Sequence, residues 1–228
     1  MRQLAIAGLV WLSLCAPAGA QTTDRPGPWV IDVRGATVSL PRDASFFPSI
    51  PSTTVVPSRG YGVDAGGHVY LLQVGPARVG IGATWLRARG TASPVAGGGD
   101  DDNGSSAGTL AVTPGVATLL TVVGSQLSLN FGSRAGWSYL SAGLGRAQLS
   151  TRASSFVDED DDDEVTPARL VDHDSLSALN FGGGARWFAR PRLAFSFDVR
   201  FHVIGAGGGE APTPGTTLLA ASVGVSLR

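Results

Sequence analysis

One segment constrains the fold of this chain more than any other, because it separates apolar from ionic residues by strict alternation. In residues 193–203 (LAFSFDVRFHV), leucine, phenylalanine and valine occupy the odd-numbered positions. Alanine, serine, aspartate, arginine and histidine occupy the even-numbered positions. Successive side chains of a β-strand point to opposite faces of the sheet, whereas a helix would spread these charges around its circumference. The segment therefore predicts a strand with one apolar and one ionic face.

Seven further segments follow the same pattern with less regularity. They are residues 29–38, 61–71, 78–87, 119–132, 137–150, 177–188 and 217–227. The total of eight is even, as a single-chain bacterial barrel requires. The alternation predicts an all-β protein, a transmembrane antiparallel up-and-down β-barrel of about eight strands.

The connections between these segments are alternately long and short. The long ones are residues 41–59, 90–117, 151–174 and 205–215, and the short ones are 75–76, 133–135 and 189–191. Long outer loops that alternate with tight periplasmic turns are typical of outer-membrane barrels. A charged fraction of only 15% and a net charge of −1 fit this class and give no reason to expect a nucleic-acid partner.

The N-terminus has the features of a secretory signal peptide. Arg2 precedes the apolar run at residues 4–15, and the small residues Ala18-Gly19-Ala20 form a cleavage site. The apolar run is too short to span a membrane as a helix. We expect residues 1–20 to be the signal peptide and residues 21–228 to form the barrel domain.

The single cysteine, Cys15, lies within this signal. A lipoprotein signal ending at Cys15 is the alternative, and Leu14 argues against it because such signals resemble a pattern with a small residue at that position. A mature chain without cysteine excludes disulfides, thiol catalysis and cysteine-ligated metals.

The signal peptide, the eight segments and the phrase YLSAGLGR, from Tyr139 to Arg146, resemble the small OmpA/OmpX-type outer-membrane barrels of Gram-negative bacteria. The resemblance covers essentially the whole mature chain. It implies a location in the bacterial outer membrane, with outer-membrane lipid and lipopolysaccharide as partners. The last strand ends at Leu227-Arg228, where members of this class usually end on an aromatic residue.

The inward-facing positions carry many ionic side chains. We predict that they form a structural lumen network, because an eight-stranded lumen is filled by its own side chains and buried charges there must pair. The alternative is a narrow polar conduit or a proton-sensitive gate at His68 or His202. The predicted network comprises Asp32, Arg34, Asp64, His68, Arg78, Arg146, Arg186, Asp198, Arg200 and His202.

Tryptophan and tyrosine cluster near the ends of the predicted strands. Such residues favour membrane–water interfaces because one end of the ring is apolar and the other polar. We predict an aromatic girdle of Trp29, Tyr61, Tyr70, Trp85, Trp137, Tyr139 and Trp187.

Three features of the predicted loops are candidates for chemical sites. The acidic run DEDDDDE, from Asp158 to Glu164, predicts a solvated loop, with weak divalent-cation binding as the alternative. His173, between Asp172 and Asp174, could belong to a catalytic group, but its spacing matches no known motif. A G-x-S-x-G match at residues 104–108 lacks the strand and helix that a nucleophile elbow needs. We expect no cofactor, no specific metal site and no catalysis.

The sequence thus predicts an integral outer-membrane barrel with a structural or surface-interaction role. The first alternative is a narrow channel for small solutes, and the second is a lipid-modifying enzyme of the outer membrane.

Overall fold

A computed structural model describes residues 27–47, 55–93, 115–133, 135–153, 170–207 and 214–228. The predicted signal peptide, the acidic run and the G-x-S-x-G match lie outside these residues. Among the described residues, no helix has the length and apolar character needed to cross a membrane.

Eight antiparallel strands close into one barrel in sequence order. They are β1 (Trp29–Ser39), β2 (Arg59–Val74), β3 (Ala77–Ala92), β4 (Val116–Ser133), β5 (Gly136–Ala153), β6 (Leu170–Arg190), β7 (Leu193–Ile204) and β8 (Thr216–Leu227). Each of the eight predicted segments lies within one of these strands. The predicted fold class, an up-and-down barrel of eight strands, is therefore confirmed.

The strands in the middle of the chain are longer than predicted. β4, β5 and β6 contain 18, 18 and 21 residues, against 11 in β1. Pairing between β5 and β6 continues to Arg152 opposite Leu170, so the third long connection shrinks from the predicted 151–174 to 154–169. Alternation did not reveal these extensions, because they carry polar residues such as Arg152 on the outer face.

The strand register sets the height of each residue along the barrel axis. Starting at Trp29, we follow the paired residue on each successive strand once around the barrel, and this row ends at Leu219 on β8. Leu219 is the neighbour of Ala220, which pairs with Val38 on β1. The row thus returns to β1 at position 39, ten residues beyond its start at position 29. Strands in such barrels tilt by roughly 40°, so ten residues climb about 25 Å, the usual height of the apolar band. We therefore define the apolar band as the span between the height of Trp29, its turn-end rim, and the height of Ser39, its loop-end rim.

The outer surface of this band is apolar. Its outward-facing side chains include Ile31, Val33, Val63, Val69, Ile81, Val123, Leu127, Leu129, Leu140, Leu144, Leu179, Phe181, Phe195, Phe197, Val199, Phe201, Val223 and Val225. In β7 the exposed and buried positions alternate as the sequence predicts, with Phe197 outward and Ser196 and Asp198 inward.

Candidate functional site

The lumen contains the largest concentration of ionic groups in the described structure, and its centre is built on Asp32 of β1. Arg186 of β6 donates from Nε and Nη2 to the two Asp32 carboxylate oxygens, at 2.8 and 2.6 Å. The Ser226 hydroxyl donates to the same carboxylate. Asp32 has no exposed surface and Arg186 has 1%. This bidentate pair joins two strands across the full width of the lumen.

A second ion pair lies next to the first. Arg34 donates from Nε to Asp64 at 3.0 Å, and its Nη2 lies 3.7 Å from Asp32. The Ser222 hydroxyl also donates to Asp64, at 2.9 Å. Arg34 therefore lies between two carboxylates and links β1 to β2.

The third pair is formed within β7. Arg200 donates from Nε and Nη2 to Asp198 at 3.1 and 2.9 Å. Its remaining donors reach Asn180 at 3.0 Å and Ser141 at 2.8 Å. Residues two apart on a strand share one face, which is why the spacing of Asp198 and Arg200 brings them together.

Tyr139 joins these pairs into one network. Its hydroxyl accepts from Arg34 at 2.8 Å and donates to Asp198 at 2.7 Å. The Arg186 guanidinium lies 4.0 Å from the centre of the Tyr139 ring. Three carboxylates and three guanidinium groups are thus connected, directly or through one phenol, and their charges balance.

The remaining predicted lumen residues lie around this centre. The ring of His68 is 3.1 Å from Gln126, whose amide donates to Asn180 at 2.9 Å. His202 is buried on the inward face of β7. Arg78 lies at the turn-end mouth, where it is half-buried and donates to the Gly27 carbonyl at 3.3 Å.

The predictions for β5 assigned its inward-facing and outward-facing side chains to the wrong faces of the strand. Arg146, expected in the lumen, is exposed on the outer wall and donates to the Ser175 carbonyl at 3.0 Å. Trp137 and Tyr139, expected in the outer girdle, are buried in the lumen at 1% and 2% exposure. One misassigned parity explains all three errors, because Gly143 and Gly145 occupy the inward positions and hide the alternation.

A signal for the correct parity was present in the sequence. Paired residues on adjacent strands point to the same face. Asn130 lies on the polar face of β4, and the short turn at 134–135 brings it opposite Tyr139. The pairing therefore assigns Tyr139 to the lumen. Sequence reasoning also missed Gln126, Asn180, Ser141, Ser222 and Ser226, which add further hydrogen bonds to the network.

Tyr70 is a further correction to the girdle, because it is buried at 8% exposure and donates to Asn130 at 3.2 Å. Its ring packs edge-on against Trp137, with centroids 5.8 Å apart, and Trp137 contacts Phe188 at 4.9 Å. Arg228 stacks over Phe188 at 4.0 Å. These side chains form an aromatic cap at the turn end of the lumen. The other predicted girdle residues face outward, namely Trp29, Tyr61, Trp85 and Trp187.

The loop-end half of the lumen is apolar, which the sequence analysis did not anticipate. A cluster of buried side chains from seven of the eight strands, all except β2, fills it, including Val38, Leu86, Leu120, Val122, Leu149, Leu176, Ile204 and Leu218. A short 3-10 helix in the first long connection, Ala44–Phe46, adds Phe46 and Phe47 to this cluster. We call this cluster the apolar plug.

His173, considered above as a catalytic group, belongs to the plug. It is buried, and its Nε2 lies 3.0 Å from the Phe46 carbonyl oxygen. The two rings meet edge to face, with centroids 6.2 Å apart. In this position His173 fastens the first long connection to β6.

A glycine in β6 leaves space for the Tyr139 side chain of the network. A Cβ added to Gly184 would lie 2.7 Å from the Tyr139 hydroxyl oxygen. Gly184 therefore serves packing, since the tyrosine passes over β6 at this height.

The arrangement holds charges in place and offers little chemistry. Every carboxylate of the network is bonded to a guanidinium group, and the described residues contain no group of three or more His, Cys, Asp or Glu side chains positioned to hold a metal ion. The lumen thus has an aromatic cap, an ionic middle and an apolar plug.

Known proteins were compared by sequence and by structure. No family model and no curated protein matches the chain in sequence. Neisserial surface protein A is similar in structure, with a TM-score of 0.49 and 11% identity, covering 89% of this chain and 97% of that one. The attachment invasion locus protein Ail of Yersinia pestis, solved with the heparin analogue sucrose octasulfate, has a TM-score of 0.48 and 10% identity over 87% of this chain and 96% of that one. The outer membrane protease OmpT of Escherichia coli has a TM-score of 0.44 and 9% identity over 75% of this chain and 64% of that one. At these values the similarities assign no role to this chain.

Proposed function

We propose that the protein is an integral barrel of the bacterial outer membrane with a structural or surface-interaction role, a closed lumen and no catalysis. The observation that carries this proposal is the contrast between its two faces. The outer wall of β1–β8 is apolar over about 25 Å, the height of a membrane's apolar band. Asp32, Asp64 and Asp198 at this height face inward and are neutralised by arginines of the lumen, while the outward-facing arginines Arg87 and Arg146 lie near the loop-end rim.

The filled lumen supports a structural role over a channel. A conduit for small solutes needs a continuous polar path, and here the polar middle zone lies between the apolar plug and the aromatic cap. Phe46 of the first connection and Trp137 of β5 lie at opposite ends of the lumen, and each has 1% exposure.

A non-catalytic role is supported by the state of the histidines. His173 is engaged with a backbone carbonyl, and His68 is engaged with Gln126 inside the barrel. Neither ring faces a cleft in which a substrate could reach it, since both residues are buried.

Insertion into a membrane is tested by heat modifiability and protease protection. The purified protein, refolded into liposomes, should migrate faster on a detergent gel when unheated than when boiled. Its strands should be protected from proteinase K in the same sample. A protein that shows no mobility shift and is digested completely would not be a membrane-inserted barrel.

A further inference from the structure

Five arginines face outward on one side of the barrel, close to or above the loop-end rim of the apolar band. They are Arg59, Arg87, Arg89, Arg146 and Arg152, on strands β2, β3 and β5. The slope of the register places Arg89 and Arg146 close to the height of Ser39, with Arg87 slightly below and Arg152 above. On the opposite side, the outward positions at this height are Thr37, Val203 and Thr217.

Three of these arginines surround a groove on the outer wall. The groove has a volume of about 420 Å³ and is lined by Arg87, Arg89 and Arg152 together with Tyr61 and Leu119. Among the residues that the structure describes, no carboxylate lines it. Its floor between the arginines is formed by short side chains, such as Ala117 and Ser150. These short side chains leave space for the guanidinium groups to turn toward the centre of the groove.

The register explains how arginines on different strands meet at this groove. Tyr61 pairs with Arg89, Arg89 pairs with Leu119, and Leu119 pairs with Ser150, two residues from Arg152. Adjacent strands lie about 4.8 Å apart, so the backbones of β3 and β5 are roughly 10 Å apart across β4. An arginine side chain from each strand can span half of this distance.

The three groove arginines have no hydrogen-bond or ion-pair partner among the described side chains, whereas Arg34, Arg186 and Arg200 of the lumen each form an ion pair. A cation on the outer wall costs about 2–4 kcal/mol at the bilayer midplane and close to nothing at the interface. Their height therefore matches the headgroup region, where lipid phosphates lie. Arginine binds phosphate by two parallel hydrogen bonds.

We propose that Arg87, Arg89 and Arg152 form a binding site for the phosphate groups of a glycolipid in the surrounding outer leaflet, a lipid of the lipopolysaccharide class. The acyl chains of this lipid lie against Val63, Val123 and the neighbouring apolar wall, and its phosphorylated sugars lie in the groove. A lipid is favoured over a soluble polyanion because the groove lies at the edge of the apolar band, where Arg87 pairs with the outward-facing Val63. The proposal rests on the membrane location proposed above.

The test uses the full barrel in phosphatidylcholine nanodiscs, with native mass spectrometry to measure bound lipid. Bisphosphorylated lipid A is titrated in one arm and dephosphorylated lipid A in a second. Inorganic phosphate and a soluble sulfated polysaccharide are titrated in the third. We expect the bisphosphorylated lipid to bind roughly tenfold or more tightly than the dephosphorylated lipid, since each arginine–phosphate contact is charge-assisted.

The double substitution Arg87→Gln/Arg89→Gln should remove most of this preference, and Arg87→Lys/Arg89→Lys should retain part of it, because lysine keeps the charge without the bidentate geometry. The matched control is Arg190→Gln/Arg192→Gln at the turn-end rim, which should bind like the wild type. Equal binding of both lipid A forms, an unaffected double variant, or binding of the soluble polyanions alone would overturn the proposal. Because each sample is first checked for the heat-dependent mobility shift, failure of the lipid site is distinguishable from failure of membrane insertion.

Discussion

The hydroxyl of Tyr139 donates to the carboxylate of Asp198 at 2.7 Å and simultaneously accepts from Arg34 at 2.8 Å. It is the link between the ion pairs of β1 and β2 and the pair within β7. Without it, Arg34 and Asp198 would each lose a buried hydrogen bond to a partner that water cannot readily replace.

Tyr139→Phe should therefore destabilise the barrel. Leaving charged partners short of one hydrogen bond costs about 1–3 kcal/mol in a buried setting. The free energy of unfolding in urea, measured in liposomes, should fall by this amount. Tyr61→Phe is the matched control, because the Tyr61 phenol is 66% exposed on the outer wall, and its stability should change by less than about 0.5 kcal/mol. Equal effects of the two substitutions would mean that the phenol does not bridge the network.

The pair Asp198 and Arg200 should show strong coupling. Asp198→Ala leaves the Arg200 guanidinium buried without its bidentate partner, which costs about 3–5 kcal/mol. Adding Arg200→Ala should restore part of the lost stability, since the unpaired charge is then removed. A double-mutant cycle on unfolding free energies measures this coupling, and simple additivity of the two losses would contradict the network.

The two faces of β7 should respond differently to a cation. Phe197→Arg places a charge on the lipid-facing wall and should reduce stability by about 2–4 kcal/mol or prevent insertion. Ser196→Arg places the same charge in the lumen, where Ser196 is 1% exposed. That variant should crowd the packed interior and alter the heat-modifiable band without exposing a charge to lipid. The measurement is the unfolding free energy of both variants in liposomes of different bilayer thickness. The same loss of stability in both variants at every thickness would show that β7 lacks two distinct faces.

How far the sequence predicts this structure depends on which residue types occupy the two faces of each strand. In β7, phenylalanine and valine alternate with ionic residues, so fold, parity and the Asp198–Arg200 contact all follow from the pattern. In β5, glycines occupy inward positions and aromatic rings occur where either lumen or interface would suit them. Which β5 residues face the lumen is fixed by their pairing with β4, and the alternation within β5 alone gives no information about this pairing.

The apolar plug could not be predicted from the sequence for a related reason. Inward residues such as Leu120, Val122 and Leu149 have the composition of a lipid-facing strand position. Only the closed register and the return of Phe46 into the lumen show that they face one another. Composition identifies buried surface without distinguishing a membrane from a packed interior.

The orientation of the barrel predicts where a protease cuts intact cells. Proteinase K should cleave within the long connections 93–115 and 154–169, which share one end of the barrel and lie on the outer side in the orientation that we propose. It should spare the turns at 75–76 and 191–192, which lie at the opposite end. Mass spectrometry of the fragments identifies the cut sites, and cleavage confined to the short turns would require the reverse orientation.

The closed lumen is tested most directly by the conductance of the wild-type protein in a planar bilayer, using samples whose unheated gel mobility shows a folded barrel. With an apolar plug at one end and an aromatic cap at the other, insertion should produce no stepwise current above that of the protein-free membrane. Reproducible single-channel steps from the folded protein would contradict the closed lumen and would favour the narrow-channel alternative.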